Sequence, residues 1–243
     1  MSLTITVLGA SGTYPAAETA CSGYLLRTER TAVWLDCGTG TLANLQRHVA
    51  LEDLDGIVCS HSHPDHWLEL PVAVNAYRYG IGRPKAGIPL YWTARTAQQF
   101  RSIAGKPEPT FASQVVDAGS RVTIGDIDLR FSRTDHPVET LAVRADAGGR
   151  SIVYSADTGD GWDLRTLGPD IDLALLEATL DEDEVGRVQH LTAGQAGVKA
   201  AEAGVAALVL THLAPGSDPE DRRAAAAAVY DGPVDIARTH ERY

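Results

Sequence analysis

The chain has 243 residues, 44% of them hydrophobic, and 32 acidic against 21 basic side chains give it a formal charge of −11. That balance argues against a protein that grips long nucleic acids, which needs a basic stripe to neutralise phosphates. No apolar run reaches about 18 residues, so no membrane span is expected, and a chain this long buries roughly 70–75% of its unfolded surface, enough for a core without disulfides.

Short apolar segments punctuated by glycine open the chain: Ile5–Leu8, Tyr24–Arg27 and Ala32–Leu35 read as strands. The opening residues carry neither a basic leader nor a long apolar core, so no secretory signal is expected. Leu42–His48 reads as a helix, Gly56–Cys59 as a buried strand, and the apolar spacing over Leu68–Tyr79 as a second helix. Strands are then predicted at Pro89–Trp92, Val115–Asp117, Val122–Ile124, Ile127–Phe131, Leu141–Arg144 and Ile152–Tyr154, several joined by glycine-containing turns. The last third alternates: strand Leu173–Leu176, helix Thr192–Ala203, strand Ala207–Leu210, helix Pro219–Tyr230 with proline in its first turn, and strand Val234–Ala237. No linker is visible, so one domain over 1–243 is expected. Its elements fit two sheets covered by helices, of the α/β or α+β class. Cys21, Cys37 and Cys59 are odd in number and contain no Cys-x-x-Cys pair. Free thiols and a cytoplasmic location follow.

The informative stretch is Cys59-Ser-His61-Ser-His63-Pro-Asp65-His66. Three imidazoles and a carboxylate this close are costly as structure, because each needs a partner once buried. Imidazole with carboxylate is the donor set of catalytic zinc, although manganese or iron could take the same donors. One such cluster supplies only half of two sites, so the other ligands must come from afar. His136, Asp157 and His212 each follow an apolar strand, where a rigid sheet can aim them.

The order His-x-His-x-Asp-His, then His, Asp and His, resembles the metallo-β-lactamase superfamily over nearly the whole chain. The resemblance implies an αββα sandwich of two mixed sheets flanked by helices, with two divalent metals at one edge. Carried over residue by residue, it implies that His61, His63 and His136 hold one metal, that Asp65, His66 and His212 hold the other, and that Asp157 bridges them. Ser155-Ala-Asp-Thr-Gly, Glu177-Ala-Thr and His190-Leu-Thr look like segments of the ribonuclease Z-like phosphodiesterases, which implies His190 as general acid with Glu177 as its partner. Asp36, in Leu35-Asp-Cys-Gly, is either an orienting partner for a metal-binding histidine or a plain turn aspartate. His48 and His240 match no motif and read as solvated surface residues.

The resemblance implies in-line attack on phosphorus by a metal-bridging hydroxide, Asp65 accepting a proton and His190 donating one to the leaving oxygen. The spacing from Asp157 to His212 leaves no room for the tRNA-clasping arm of ribonuclease Z, and His212-Leu-Ala-Pro departs from the Ser-x-Arg-Tyr segment usual after that family's last metal histidine. Together with the acidic charge, this points to a small phosphodiester such as a cyclic nucleotide, and away from a tRNA 3′-end endonuclease. The competing readings are a thioesterase or lactonase of the glyoxalase II type, against which Thr134-Asp-His-Pro stands where those enzymes carry Pro-Gly-His-Thr, and a non-catalytic metal-binding module. The expected partner is a small anionic substrate, with no long nucleic acid and no membrane. Relatives commonly pair, which leaves a homodimer open.

Overall fold

Alternation along the strands decides the layers. In a computed structural model, which describes residues 3–80 and 87–243, β1 (Thr4–Gly9), β2 (Gly23–Arg27) and β3 (Ala32–Cys37) send Ile5, Val7, Tyr24, Leu26, Val33 and Leu35 into one buried cluster and Leu8, Leu25, Trp34 and Cys37 into another. A strand buried on both faces requires a cover on each. Together with β4 (Gly56–Cys59), β5 (Ile88–Trp92) and β6 (Phe111–Val115), these strands form a sheet in sequence order, antiparallel from β1 to β3 and parallel from β3 to β6.

The second sheet repeats the plan. β7 (Arg121–Ile124), β8 (Ile127–Arg133), β9 (Leu141–Ala147) and β10 (Arg150–Tyr154) are antiparallel neighbours, and from β10 the order continues in parallel through β11 (Leu173–Glu177), β12 (Leu208–Thr211) and β13 (Val234–Ile236). Leu173 and Leu175 face the first sheet, whereas Ala174 and Leu176 face outward. The sheets therefore pack face to face, with helices on both outer surfaces.

On the first sheet, α1 (Thr41–Leu45), α2 (Glu69–Asn75) and α3 (Ala94–Ala104) set Leu45, Leu70, Ala73, Ala97 and Phe100 against Trp34, Ile57 and Trp92. On the second, α4 (Ala193–Glu202) and α5 (Pro219–Ala227) use Ala193, Ala196, Ala200 and Ala226 against Leu176, Leu208 and Leu210. These small residues let the two helices approach closely; a Cβ at Gly197 would stand 2.7 Å from the Ala226 carbonyl oxygen. Thr192 caps α4 reciprocally with Gln195, and Asp218 caps α5 ahead of Pro219. The αββα sandwich read from the sequence is the observed fold.

Three elements differ from expectation. α3 lies where no element was read, although Thr93 caps it by accepting from the Thr96 amide. The strand expected over Val115–Asp117 runs instead over Phe111–Val115, while Val116 turns into the core between the sheets. The helix expected over Leu68–Tyr79 is α2 continued by a wider π turn, Ala76–Gly80. The outer edge of β1 is not left open. Residues 240–243 pair with it through bonds between Ile5 and Tyr243 and between Val7 and both Glu241 and His240, which shields an edge that could otherwise recruit another strand. Among the described residues no helix is long and apolar enough to cross a membrane.

Candidate metal centre

Each predicted ligand stands just beyond the C-terminal end of a strand. β4 delivers His61 and His63. A single 3₁₀ turn begun by Pro64 then presents Asp65 and His66, and the Trp67 indole N–H, donating to the Ser62 carbonyl at 3.1 Å, pins this loop. β8, β10 and β12 deliver His136, Asp157 and His212. The backbone pays conformationally for this convergence. Asp36, Ala156 and His212, all at strand exits, take positive φ values of 54°, 50° and 54°, a region unfavourable for residues with a side chain and common at functional sites.

The side chains meet in two groups that share Asp157. His61, His63, His136 and Asp157 bring one donor atom each to within 4.8 Å of one another, as do Asp65, His66 and His212. One Asp157 oxygen stands 3.4 Å from His61 Nε2, and the other stands 3.2 Å from His66 Nε2 and 3.3 Å from His212 Nε2. His63 offers Nδ1, 3.1 Å from His136 Nε2. All seven residues are buried except His63, which is half-buried. The structure thus brings together every ligand expected from the sequence.

The far side of each ring shows what the near side can do. His66 Nδ1 faces the Asp36 carboxylate at 2.8 Å, His212 Nδ1 the Thr179 hydroxyl at 2.9 Å, His136 Nδ1 the Gln189 carbonyl at 3.0 Å, and His61 Nδ1 the Ser60 hydroxyl at 3.0 Å. With the proton held there, the neutral form of each ring turns an Nε2 lone pair into the centre. His66 and His212 Nε2 face one another at 3.2 Å, and both His61 Nε2 and Asp157 Oδ1 are buried without a hydrogen-bond partner among the described residues. Lone pairs and carboxylates converging on one point need positive charge between them, so these donors fit divalent cations.

Electrostatics divide the rings into two kinds. Burial holds the His61 pKa down to about 4 and that of His136 to about 3, which keeps both rings neutral and ready to ligate. Burial opposes charge on His66 and His212 too, but Asp157 and Asp65 overrule it at both rings, and Asp36 adds to the effect at His66. These two pKa values are therefore raised, and each ring keeps a proton that a bound cation would displace. Burial would likewise raise the Asp65 pKa, yet His66 and His212 hold it well below the carboxylate range.

Beside the two groups, His190 stacks on His212 with ring centroids 5.7 Å apart and donates Nδ1–H to Glu177 at 2.8 Å. Glu177 is fully buried at the end of β11. It also accepts from the Thr158 amide, the Thr179 hydroxyl and the Leu191 amide, so it is no ordinary strand-end carboxylate. Burial alone would lower the His190 pKa, but the hydrogen bond and charge of Glu177, with Asp157 behind, raise it to about 9.

Asp36 sits in the orienting position. It accepts from His66 Nδ1, from the Ser60 amide and hydroxyl at 2.7 and 2.8 Å, and from the Tyr154 hydroxyl at 2.9 Å. Ser60, Tyr154, Thr179 and the Gln189 carbonyl are orienting groups the sequence did not reveal, although Ser60 lies in the histidine-rich stretch and Thr179 inside Glu177-Ala-Thr. The surface reading of His48 and His240 needs correction. Their rings hydrogen-bond to one another at 2.9 Å, and Arg47 donates to His240 at 2.9 Å, fastening the C-terminal segment to the end of α1. Cys21, Cys37 and Cys59 are buried free thiols, as expected.

Comparison with known proteins agrees with this geometry. The sequence profile of the beta-lactamase superfamily domain matches residues 31–213. The chain is 32% identical to the probable metallo-hydrolase YhfI of Bacillus subtilis over 97% of both proteins. The YhfI crystal structure superposes with a TM-score of 0.93 at 29% identity, covering 100% of this chain and 99% of that one. Ribonuclease Z of Streptomyces coelicolor is 30% identical over an alignment of 291 residues that takes in 96% of this chain and 95% of the ribonuclease. That alignment is longer than the chain itself, so the ribonuclease carries segments with no counterpart here.

Proposed function

We propose that this chain, which belongs to the β-lactamase superfamily of metallo-hydrolases, cleaves a small phosphodiester such as a cyclic nucleotide with two divalent cations, zinc by the character of the donors. His61, His63 and His136 would hold one cation, Asp65, His66 and His212 the other, and Asp157 both. When bound, such cations supply an activated water and neutralise phosphate charge. The observation that carries the choice of reaction is the His190–Glu177 pair beside the two ligand groups. An alkoxide leaving a phosphodiester needs a proton, whereas a thiolate leaving a thioester needs little help. A lactone also expels an alkoxide, and against that reading stands Thr134-Asp-His-Pro in place of Pro-Gly-His-Thr. Glu177 keeps His190 protonated on Nδ1 and turns Nε2 toward the centre. The depressed pKa of Asp65 suits a ligand and makes it a weak proton acceptor. Three buried thiols fit a reducing compartment, and we place the protein in the cytoplasm.

The test is a panel of bis-p-nitrophenyl phosphate, cyclic nucleotides, S-lactoylglutathione, a homoserine lactone and a tRNA precursor, assayed on metal-reconstituted protein. Diester cleavage is the expected outcome; robust thioester or lactone turnover with no diester cleavage overturns the reading.

The general acid makes its own prediction. His190→Ala should lower kcat on a cyclic nucleotide by on the order of 10²–10⁴ and have much less effect when p-nitrophenolate leaves; equal losses on the two substrates would remove His190 from the role. Because His190 acts in its protonated form and its pKa is raised, activity should persist through neutral pH and fall as pH rises through about 9. Glu177→Gln removes the carboxylate that raises that pKa, so the alkaline limb should move to lower pH, read from kcat against pH.

A further inference from the structure

His190 also lines a cleft of about 360 Å³ beside the centre, together with Asp135, Gly159, Gly161, Gln189 and Gln195. Val185 and Val188 form its apolar rim, and Arg187, whose guanidinium is ion-paired with Glu184, stands in its wall. On the phosphodiesterase reading, on which this inference rests, His190 gives its proton to the departing oxygen. Whatever that oxygen belongs to therefore lies in this cleft. Its volume is at the small end of ligand sites, which run from roughly 300 to 1,000 Å³, and is large enough for a nucleoside.

The cleft contains one polar group set apart from the others. The carboxylate of Asp160 is neutralised by Lys199 at 3.0 Å. Asp135, by contrast, forms no ion pair among the described residues. One of its oxygens accepts from the Gly161 amide at 3.0 Å, and its carbonyl accepts from the Gly159 amide. The glycine loop is wrapped tightly round it: a Cβ at Gly159 or Gly161 would stand 2.6 or 2.8 Å from Asp135 Oδ2. The cleft wall is fixed from the other side as well, because the ring of the adjacent His136 donates to Gln189. An unpaired, rigid carboxylate repels an anionic substrate unless it meets a hydrogen-bond donor, and a sugar hydroxyl is the donor that a phosphodiester of this size carries there. When the breaking bond is to a 3′ oxygen, the 2′-hydroxyl is its immediate neighbour.

We infer that this cleft is the subsite for the ribose of the leaving group and that Asp135 accepts a hydrogen bond from its 2′-hydroxyl, which makes the enzyme selective for ribonucleotides. The experiment compares ribonucleoside 3′,5′-cyclic monophosphates with their 2′-deoxy counterparts on metal-reconstituted wild type and Asp135→Asn. Calorimetric binding of adenosine 5′-monophosphate and its 2′-deoxy analogue serves as a readout independent of turnover. Wild type should prefer the ribo form by about tenfold to a hundredfold in kcat/KM and in affinity, the range expected of a hydrogen bond to a charged group. Asp135→Asn should erase most of that preference, with a loss on ribonucleotides at least about tenfold larger than on bis-p-nitrophenyl phosphate, which has no sugar. Gly161→Ala, which displaces the carboxylate without removing it, should produce the same selective loss. Equal treatment of ribo and deoxy substrates by wild type, or losses of equal size on every substrate, overturns the subsite while leaving the phosphodiesterase reading intact. Failure of wild type to cleave any diester overturns both.

Discussion

Asp157→Ala should leave a folded protein that holds fewer than two metal equivalents and hydrolyses diesters at least about a thousandfold more slowly. The reason is positional. Among the described residues Asp157 is the carboxylate that faces both ligand groups, with one oxygen toward His61 and the other toward His66 and His212. Loss of any one imidazole weakens one position, whereas loss of this carboxylate weakens both and leaves the converging Nε2 lone pairs without the anion between them. Metal content by mass spectrometry, fold by circular dichroism and kcat/KM at saturating metal test the claim together. A metal that binds only the folded state adds to its stability. A chelator should therefore lower the Tm of wild type and have little effect on that of the variant. Two retained metal equivalents with activity within about tenfold of wild type would show that Asp157 is not shared.

The second large effect is expected at Asp36, which touches no metal donor atom in the centre. Its carboxylate is wholly buried and receives four donors, from His66, twice from Ser60, and from Tyr154. The Ser60 hydroxyl in turn faces His61 Nδ1. One carboxylate thus orients a ring of each ligand group, His66 directly and His61 through Ser60. Asp36→Ala strands four buried donors at about 1–3 kcal/mol each, a sum comparable with the whole stability of an ordinary domain, about 5–15 kcal/mol. Little soluble folded protein is the expected result. Asp36→Asn keeps the left-handed turn, which asparagine tolerates, and keeps one oxygen for the cluster of three donors, while its amide group confronts the Ser60 N–H. A folded variant less stable by about 2–4 kcal/mol is expected, with metal affinity reduced about 10–100-fold. Denaturant unfolding and metal titration measure the two separately; wild-type affinity in Asp36→Asn would remove Asp36 from the orienting role.

The residues that converge in the two groups were legible in the sequence because their chemistry is conspicuous. His61-Ser-His63-Pro-Asp65-His66 is dense in donors, and His136, Asp157 and His212 each interrupt the end of an apolar run. The groups that orient them were not legible. Thr179 meets His212 across 33 residues, and Gln189 meets His136 through a carbonyl that every residue possesses. Such partners are set by which strands of the second sheet lie side by side and by the path of the loop after β11, and no local pattern records that. The same limit explains the misplaced β6. Val115 and Val116 are the most strand-like residues of their segment, but pairing with β5 selects Phe111–Val115 and leaves Val116 to fill the core. Helix α3 was overlooked for the opposite reason. Its buried positions are Thr96, Ala97 and Phe100, too small a stripe to stand out against the polar residues between them.

The division of the proposed ligands between the sheets has a consequence for the making of the protein. His61, His63, Asp65 and His66 all belong to the first sheet, whereas His136, Asp157 and His212 hang from the second. A chain emerging from the ribosome shows every donor of the first kind before any of the second, and neither proposed coordination set closes until the two sheets have met. The position proposed for Asp65 and His66 waits longest, because His212 follows every other donor along the chain. Cation uptake would then certify a finished molecule, and a product truncated before residue 212 would lack that position however well its first half had folded.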